Sequence, residues 1–354
     1  MARQATNMVK YIIKRIIIMF PMLLLALIVT WILSHMMLVD PILNKIGFDN
    51  PELLELERIR TGYYDPWFVK LGIYLKNFFT GDWGESYAIY PGKSVLAFIG
   101  EVFPKTIELM IIPTLVAPFI AVKLGATAAR NKDKKKDSMI RFVAIIGAGF
   151  PVFWFATVVQ ISFGLYIPLF TNGQLQLPVL LTNSPGSSLP GPIDGFSTGF
   201  RIIDSIIYND QAFLWDTISH LILPTISMVF ISISGLTRLT RATMLDVLDQ
   251  DYIRTARAKG VEEDVVINKH ALRNTLLPSS DKIIGGILGA LLGSLFVEMS
   301  FNYQGFGYYF TQAIFQGDYY VINGFAVFSI IITLLGTLIA DVAYTIIDPR
   351  ITYK

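Results

Sequence analysis

Apolar residues along this chain gather into blocks of about 20, the number an α-helix needs to cross a hydrocarbon layer about 30 Å thick. Six blocks stand out, at about 16–37, 106–127, 140–170, 219–243, 279–299 and 322–346, the third with length to spare. Pro21, Pro113, Pro118, Pro151 and Pro224 lie in or beside them. Membrane helices tolerate such prolines because neighbouring helices satisfy the freed carbonyls. The pattern predicts an all-α, polytopic membrane protein with six transmembrane helices. Lys10, Lys14 and Arg15 give the first block the start of a secretory signal, but its apolar run is longer than a typical signal core. HMMLVDP follows, not a small-x-small cleavage site, so the block reads as a retained helix.

Composition agrees with this reading: 53% of residues are hydrophobic and 16% charged, against about 25% charged in a soluble domain. Charge is more informative by position than in sum. With both termini on the cytoplasmic side, the N-tail, 128–141, 238–275 and the C-tail hold 19 Lys and Arg, whereas the longer opposite loops (38–105, 171–218 and 300–321) hold 8. The positive-inside bias therefore predicts a multi-pass protein of the cell membrane with both termini cytoplasmic. The cluster ARNKDKKKD at 129–137 reads as an anchor of that rule, too close to two spans for a nucleic-acid site.

Outside, YDPWFVKLGIYLKNFF has the spacing of an amphipathic helix lying along the membrane surface, either interfacial or part of a docking surface for an outside partner. SPGSSLPGPIDGFSTG, 184–199, predicts an irregular loop. PGKS at 91–94 ends like a phosphate-binding loop, but Tyr87 stands where the first glycine belongs. There is no Cys, and His35, His220 and His270 are far apart, so neither a disulfide framework nor a metal-ligand spacing is present in the sequence. No HExxH, GxSxG or spaced carboxylate pair occurs, and the chain reads as non-catalytic, with no cofactor of its own. Ionisable residues within the blocks are few and stand near span ends, Glu108, Glu298 and Asp341 among them, whereas ion-coupled carriers bind near the midplane.

One stretch breaks the apolar pattern. From Tyr252 to Arg273, 22 positions carry eight charges. Burying eight charges in lipid would cost on the order of 20 to 28 kcal/mol, so the stretch lies in water or in a protein groove. Asp251 is placed as an N-cap and Gly260 as a C-cap for a two-turn helix over YIRTARAK. A second helix is predicted to start at Glu262, Glu263 and Asp264 and to end at Lys269, His270 and Arg273, complementing its dipole. So short a helix needs a packing partner. An ordinary solvated loop is the alternative on these grounds.

ARAKG followed by HALRN resembles the cytoplasmic signature of ABC importer permeases in the dipeptide, oligopeptide and nickel family. HLILP at 220–224, LTRLTRATMLDVLDQDYIRTARAKG at 237–260, VEMSFNYQGFGYYFTQAIFQGDYYVINGF and IADVAYTIIDPRI extend the resemblance. YIIKRIII, GDWGESY and FPKTIELM are similar to the first-position, or B-type, permease. The resemblance implies the type I ABC importer permease fold. It also implies a second permease subunit as heterodimer partner, two cytoplasmic ATPases that bind ATP and Mg²⁺, and an extracytoplasmic substrate-binding protein. It implies a division into 1–105 (N-tail, first helix and external loop), a five-helix core 106–346 with the coupling loop 247–278, and a cytoplasmic tail 347–354. The coupling role falls on Asp251, Tyr252, Arg254, Thr255, Ala256, Arg257, Ala258, Lys259 and Gly260.

This sequence departs from the family pattern in places. Arg254, Thr255 and Ala256 replace the commoner Glu-Ala-Ala, and Leu277-Pro278 come later than Leu-Pro in many importers. The usual Pro-Gly of the last external loop is Gln304-Gly305, and Pro-Gly-Asp-Pro after the first span is reduced to Val39-Asp40-Pro41. In the implied mechanism the span before the loop, with Arg238 and Arg241 near its end, and the span after it transmit the motion. Gly285, Gly289 and Gly293, at four-residue spacing, allow close approach either to the second permease, which is favoured, or within the subunit. Peptide is the first expectation for the solute and oligosaccharide the second, with nickel also within the family. A self-sufficient ion-coupled carrier or channel and a scaffold for anionic membrane lipid are the contrasting readings.

Overall fold

A computed structural model describes residues 2–36, 41–46, 50–187, 197–276 and 294–347. Apart from loops and one isolated antiparallel bridge between Glu85 and Ser94, the described residues are helical. The order is α1 (Ala2–Met36), α2 (Pro41–Ile46), α3 (Pro51–Arg60), α4 (Trp67–Thr80), α5 (Val95–Arg130), α6 (Lys135–Gly149), α7 (Val152–Ile161) and α8 (Ile167–Phe170). There follow α9 (Arg201–Ile207), α10 (Gln211–Leu248), α11 (Asp251–Ala258), α12 (Glu263–Val265), a helical segment over 294–300, α13 (Phe306–Gln316) and α14 (Tyr319–Ile347).

Among the described residues five stretches are long and apolar enough to cross a membrane: Tyr11–Met36, Val95–Arg130, Val152–Phe170, Gln211–Leu248 and Tyr319–Val342. They match five of the six apolar blocks. Most of the remaining block, 279–299, lies outside the described residues, as do Gly285, Gly289 and Gly293, Val39-Asp40, Leu277-Pro278 and most of 184–199.

The block 140–170 is not one helix. α6 ends at Gly149, Phe150 takes extended dihedrals (φ −88°, ψ 138°), and α7 starts after Pro151. A proline pushes the residue before it out of the helical region, and Gly147 and Gly149 weaken the turn it would have to join. Pro21 and Pro224, without that glycine pair, sit inside α1 and α10 and end neither.

The chain forms two compact units, Met1–Pro104 with Gly305–Leu338 and Lys105–Gln304 with Ile339–Lys354. In the first, the Phe306 ring stacks on Phe325 at 4.4 Å beside fully buried Phe98. Asp318 fixes the loop before α5. Its Oδ2 accepts from Ser86 Oγ at 2.7 Å and from the N–H groups of Tyr87, Ala88 and Ile89 at 3.0–3.2 Å. PGKS therefore lies in a turn closed by Ser86 N–H donating to Lys93 O, and Lys93 pairs with Glu101. The predicted external helix forms as α4. None of its residues is buried, Trp67 and Phe68 are exposed, Phe79 meets Phe20 of α1 at 6.3 Å, and Gly81 at φ 80° ends it.

In the second unit, α10 packs along α6, α7 and α9. Small residues set the separations: a Cβ on Gly147 would collide with Ser234, and one on Gly125 would sit 2.6 Å from Thr240 Cβ. Beside them Asp137, fully buried, takes a two-pronged ion pair from Arg241 (Nε to Oδ1 2.7 Å, Nη2 to Oδ2 2.8 Å) and accepts from Asp133 N–H at 3.0 Å. The Arg241 guanidinium holds the Asp137 carboxyl below the usual carboxylate range, against the opposing effect of burial. At the other end of α10, Glu108 accepts from Ile202 N–H in the first turn of α9 at 2.7 Å, and buried Arg201 donates to Thr182 O and lies over the Phe213 ring. Thr106 Oγ1 donates to Glu298 Oε1 at 2.8 Å.

Asp137→Asn leaves Arg241 without its counter-charge. We expect a lower melting midpoint for the purified protein at pH 7, corresponding to about 3 kcal/mol, the lower end for breaking a buried pair. A depressed carboxylate pKa contributes stability above the unfolded value and loses it as pH falls through the folded one, so the gap to wild type narrows below about pH 4. Equal midpoints at pH 7 would assign the pair no part in holding α6 to α10. Gly125→Leu, which forces α5 away from α10, is expected to lower the midpoint at every pH.

Candidate functional site

The charged stretch folds as a short helix standing on an apolar foot. α10 stops at Leu248, and Gln250 in extended conformation (ψ 150°) starts α11, so Gln250 is the N-cap and Asp251 the first helical residue. That corrects the expected cap by one position. Asp251 still lies in the first turn, where an acid is favoured by the helix dipole.

The other end closes as expected at Gly260. With φ +76° it adopts the left-handed conformation that glycine reaches without a Cβ penalty. Its N–H donates to Arg257 O at 3.0 Å and Val261 N–H donates to Ala256 O at 3.2 Å, which are the two bonds of a Schellman closure. Val261 and Ala256 also pack together against the apolar cluster beneath.

Ile253 is that foot. It is fully buried among Met244 of α10, Ala126 and Ala129 of α5, and Val266, Ile267 and Ala271. Of the nine residues given the coupling role by resemblance, eight are exposed and Ala256 is half-buried. Ile253 was absent from that set. The available signal was its place as the one aliphatic side chain larger than alanine in DYIRTARAKG, three residues before Ala256.

The second predicted helix forms over 263–276, and it is wider than expected. α12 covers Glu263–Val265 after Glu262 as N-cap, then opens into a π-helical turn over Val266–Ala271 before regular helix resumes to 276. The wider turn lets Val266 and Ala271, five residues apart, both point inward, and both are fully buried.

Ion pairs trim this element without holding it. Arg257 meets Glu263 with two contacts of 2.7 and 3.1 Å, and Arg130 meets Asp264 at 2.6 Å. All four side chains are about half exposed, where such pairs contribute roughly 0.2–1 kcal/mol. The Arg257 guanidinium holds the Glu263 carboxyl below its ordinary pKa. Tyr252 Oη accepts from Asn274 Nδ2 at 3.0 Å, tying α11 to the returning chain. Arg254, Thr255, Ala258 and Lys259 remain open to solvent. Among the described residues no group of three or more His, Cys, Asp and Glu has metal-site geometry.

Asp137 was also missed. Within ARNKDKKKD the sequence offers it as one acid among an anchor's cations, whereas its partner Arg241 lies 104 residues away. Arg241 itself was singled out, and the structure gives it this defined contact.

Comparison with known proteins agrees with this architecture. Residues 121–353 match the family model described as "binding-protein-dependent transport system inner membrane component". The oligopeptide transport system permease AppB of Bacillus subtilis is 34% identical over 351 residues, covering 98% of this chain and 100% of that protein. The dipeptide permease DppB of Alkalihalophilus pseudofirmus is 34% identical with the same coverage. A probable D,D-dipeptide permease of Escherichia coli, DdpB, is 32% identical over 92% of each chain. With most of the chain inside the family model and relatives above 30% identity along their full length, this multi-pass membrane protein belongs to the binding-protein-dependent permeases of ABC importers, among the B-type subunits of the dipeptide and oligopeptide branch.

Proposed function

We propose that this chain forms one half of the translocation path of an ATP-driven peptide importer and takes up the motor's movement through α11 and Gly260. In this reading both termini and α11 are cytoplasmic. A second permease completes the path, two ATPases bind ATP and Mg²⁺, and an extracytoplasmic binding protein delivers the solute. Residues 1–105 serve the outer side and the membrane anchor, 106–346 the core, and 347–354 the inner tail. The names of the relatives favour peptide over oligosaccharide as the solute.

The observation that carries the reading is the division of labour on α11. Its solvent side offers Arg254, Arg257 and Lys259, which suit an acidic groove on a soluble partner, while Ile253 and the Gly260 closure fasten its other side beneath Met244 of α10. Force applied to α11 is thereby delivered to a helix of 38 residues, about 57 Å long at 1.5 Å per residue. The chain itself performs no chemistry in this scheme.

Purification from native membranes in mild detergent, with stoichiometric partners identified by mass spectrometry, tests the assembly. A second permease and ATPases are expected, and recovery of the chain alone from several gentle detergents would overturn the reading.

Three variants test the coupling assignment in proteoliposomes, read as peptide taken up per ATP hydrolysed. Ile253→Ala removes the foot, at about 2–5 kcal/mol locally, and is expected to lower the ratio at least threefold with insertion unchanged. Gly260→Pro cannot adopt positive φ and lacks the N–H given to Arg257 O, so it should abolish uptake. Arg257→Glu should do the same, and the double exchange Arg257→Glu with Glu263→Arg should fail to rescue it. Rescue would assign Arg257 to the internal pair instead of the ATPase contact.

A further inference from the structure

A cavity of about 360 Å³ lies within the first unit, at the start of α14. Tyr319, Asn323 and Val327, successive turns of α14, line one side, and Tyr74 and Phe78 of α4 line another. Trp83 and Tyr320 add aromatic faces, and Arg60, Asp82 and Glu85 stand at exposed positions around it. The wall is built, not incidental. Trp83 Nε1 donates to Phe78 O at 3.2 Å and its ring stacks on Phe78 at 5.4 Å. A Cβ on Gly324 would press on Trp83 at 3.4 Å, and one on Gly84 would collide with the Tyr320 ring.

Two polar atoms in this lining have no partner among the described residues. Asn323 is 6% exposed, and its Nδ2 already donates to Tyr319 O at 3.2 Å, which leaves Oδ1 unsatisfied. The Tyr74 hydroxyl is the second, and burial pushes its pKa up, so it stays a donor. Each orphan costs roughly 1–3 kcal/mol unless something else satisfies it. Their complement is a ligand with a donor for Asn323 and an acceptor for Tyr74.

The surroundings narrow the class. Arg60 is engaged by Glu57 at 2.7 Å, so the balance around the cavity falls to the acids Asp82 and Glu85. Aromatic faces also attract cations. A primary ammonium provides donors and positive charge together. Val327 is the one aliphatic side chain of the lining, and acyl chains would find no apolar channel along it. A volume near 360 Å³ is at the small end for ligand sites, enough for one or two residues.

We propose that this cavity receives the amino-terminal residue of a short peptide, its α-ammonium accepted by Asn323 Oδ1 and facing Asp82 and Glu85, and its first carbonyl oxygen accepting from the Tyr74 hydroxyl. The choice of peptide over other primary amines rests on the import reading. The site gives the permease its own outer hold on the solute, specific for a free amino terminus.

The test is binding of Ala-Ala to the full chain in phosphatidylglycerol nanodiscs, followed by saturation-transfer NMR. Saturable binding is expected, weakened about tenfold or more by N-acetylation of the dipeptide or by Asn323→Leu. Glu85→Gln, an exposed change that leaves folding intact, should weaken it about threefold, and Tyr74→Phe by a similar factor. Equal binding of N-acetyl-Ala-Ala, wild-type affinity in both Asn323→Leu and Glu85→Gln, or full displacement by phosphoethanolamine at equal concentration would each overturn the proposal, the last by assigning the cavity to a lipid headgroup. The measurement involves no ATPase. Binding as expected in a complex that imports no peptide would sink the import reading and leave the site standing. Import of Ala-Ala at the wild-type rate by Asn323→Leu, without binding to the isolated chain, would sink the site alone.

Discussion

How closely α10 can be approached decides most of the second unit. Lipid tails are as apolar as leucine, so burying apolar side chains does not by itself bring helices together inside a bilayer. Contact must come from close backbone approach or from polar groups with no better partner. α10 uses both within eight residues: Gly147 against Ser234, Gly125 against Thr240, and the Asp137 carboxylate against Arg241. The two-pronged pair is the most demanding of the three, since a planar guanidinium meets a carboxylate this way in one orientation only. It fixes the rotation of α10 as well as its separation from α6. One turn further on, fully buried Met244 begins the cluster that holds Ile253. The clamped part of α10 and the foot of α11 are therefore contiguous.

That continuity explains how a marginal helix stays formed while showing most of its charge to solvent. Eight residues of helix are too few to be stable alone in water. Ion pairs at half-exposed sites contribute too little to change this. A buried isoleucine and two backbone bonds at Gly260 do more, and neither occupies a charged side chain. Arg254 reaches only the exposed Asp251, at 3.5 Å, and Arg257 is held by the half-exposed Glu263, partners that on the import reading a docking protein can replace at small cost.

The sequence was most legible where the signal is local and repeated. Blocks of about 20 apolar residues locate the spans because the bilayer imposes one length on all of them. The closure at Gly260 and the surface helix at 67–80 were legible for the same reason, each being decided within one short window. The break at Phe150-Pro151 was less so, since Pro21 and Pro224 show that a proline alone does not end a helix here. Least legible were contacts made across the chain. Asp137 finds Arg241 after 104 residues, and Asp318 collects the loop at 86–89 from 232 positions away. An acid inside ARNKDKKKD has no local mark that separates it from a solvated one.

The ionisable groups at the other end of α10 bear on where driving energy enters. Glu108 accepts from the first turn of α9, Arg201 holds Thr182, and Asp204 ties 197–199 to α9 through the Ser197 and Thr198 hydroxyls at 2.7 and 2.6 Å. These contacts fasten the segment between α8 and α10 onto the helices. A carboxylate that drives transport must bind and release an ion in each cycle, whereas Glu108 Oε1 accepts from Ile202 N–H at a helix N-terminus, a donor its departure would orphan. The geometry of these groups serves construction. On the import reading, the work is then supplied through the exposed face of α11, where a soluble partner can push on a helix already locked to its neighbours.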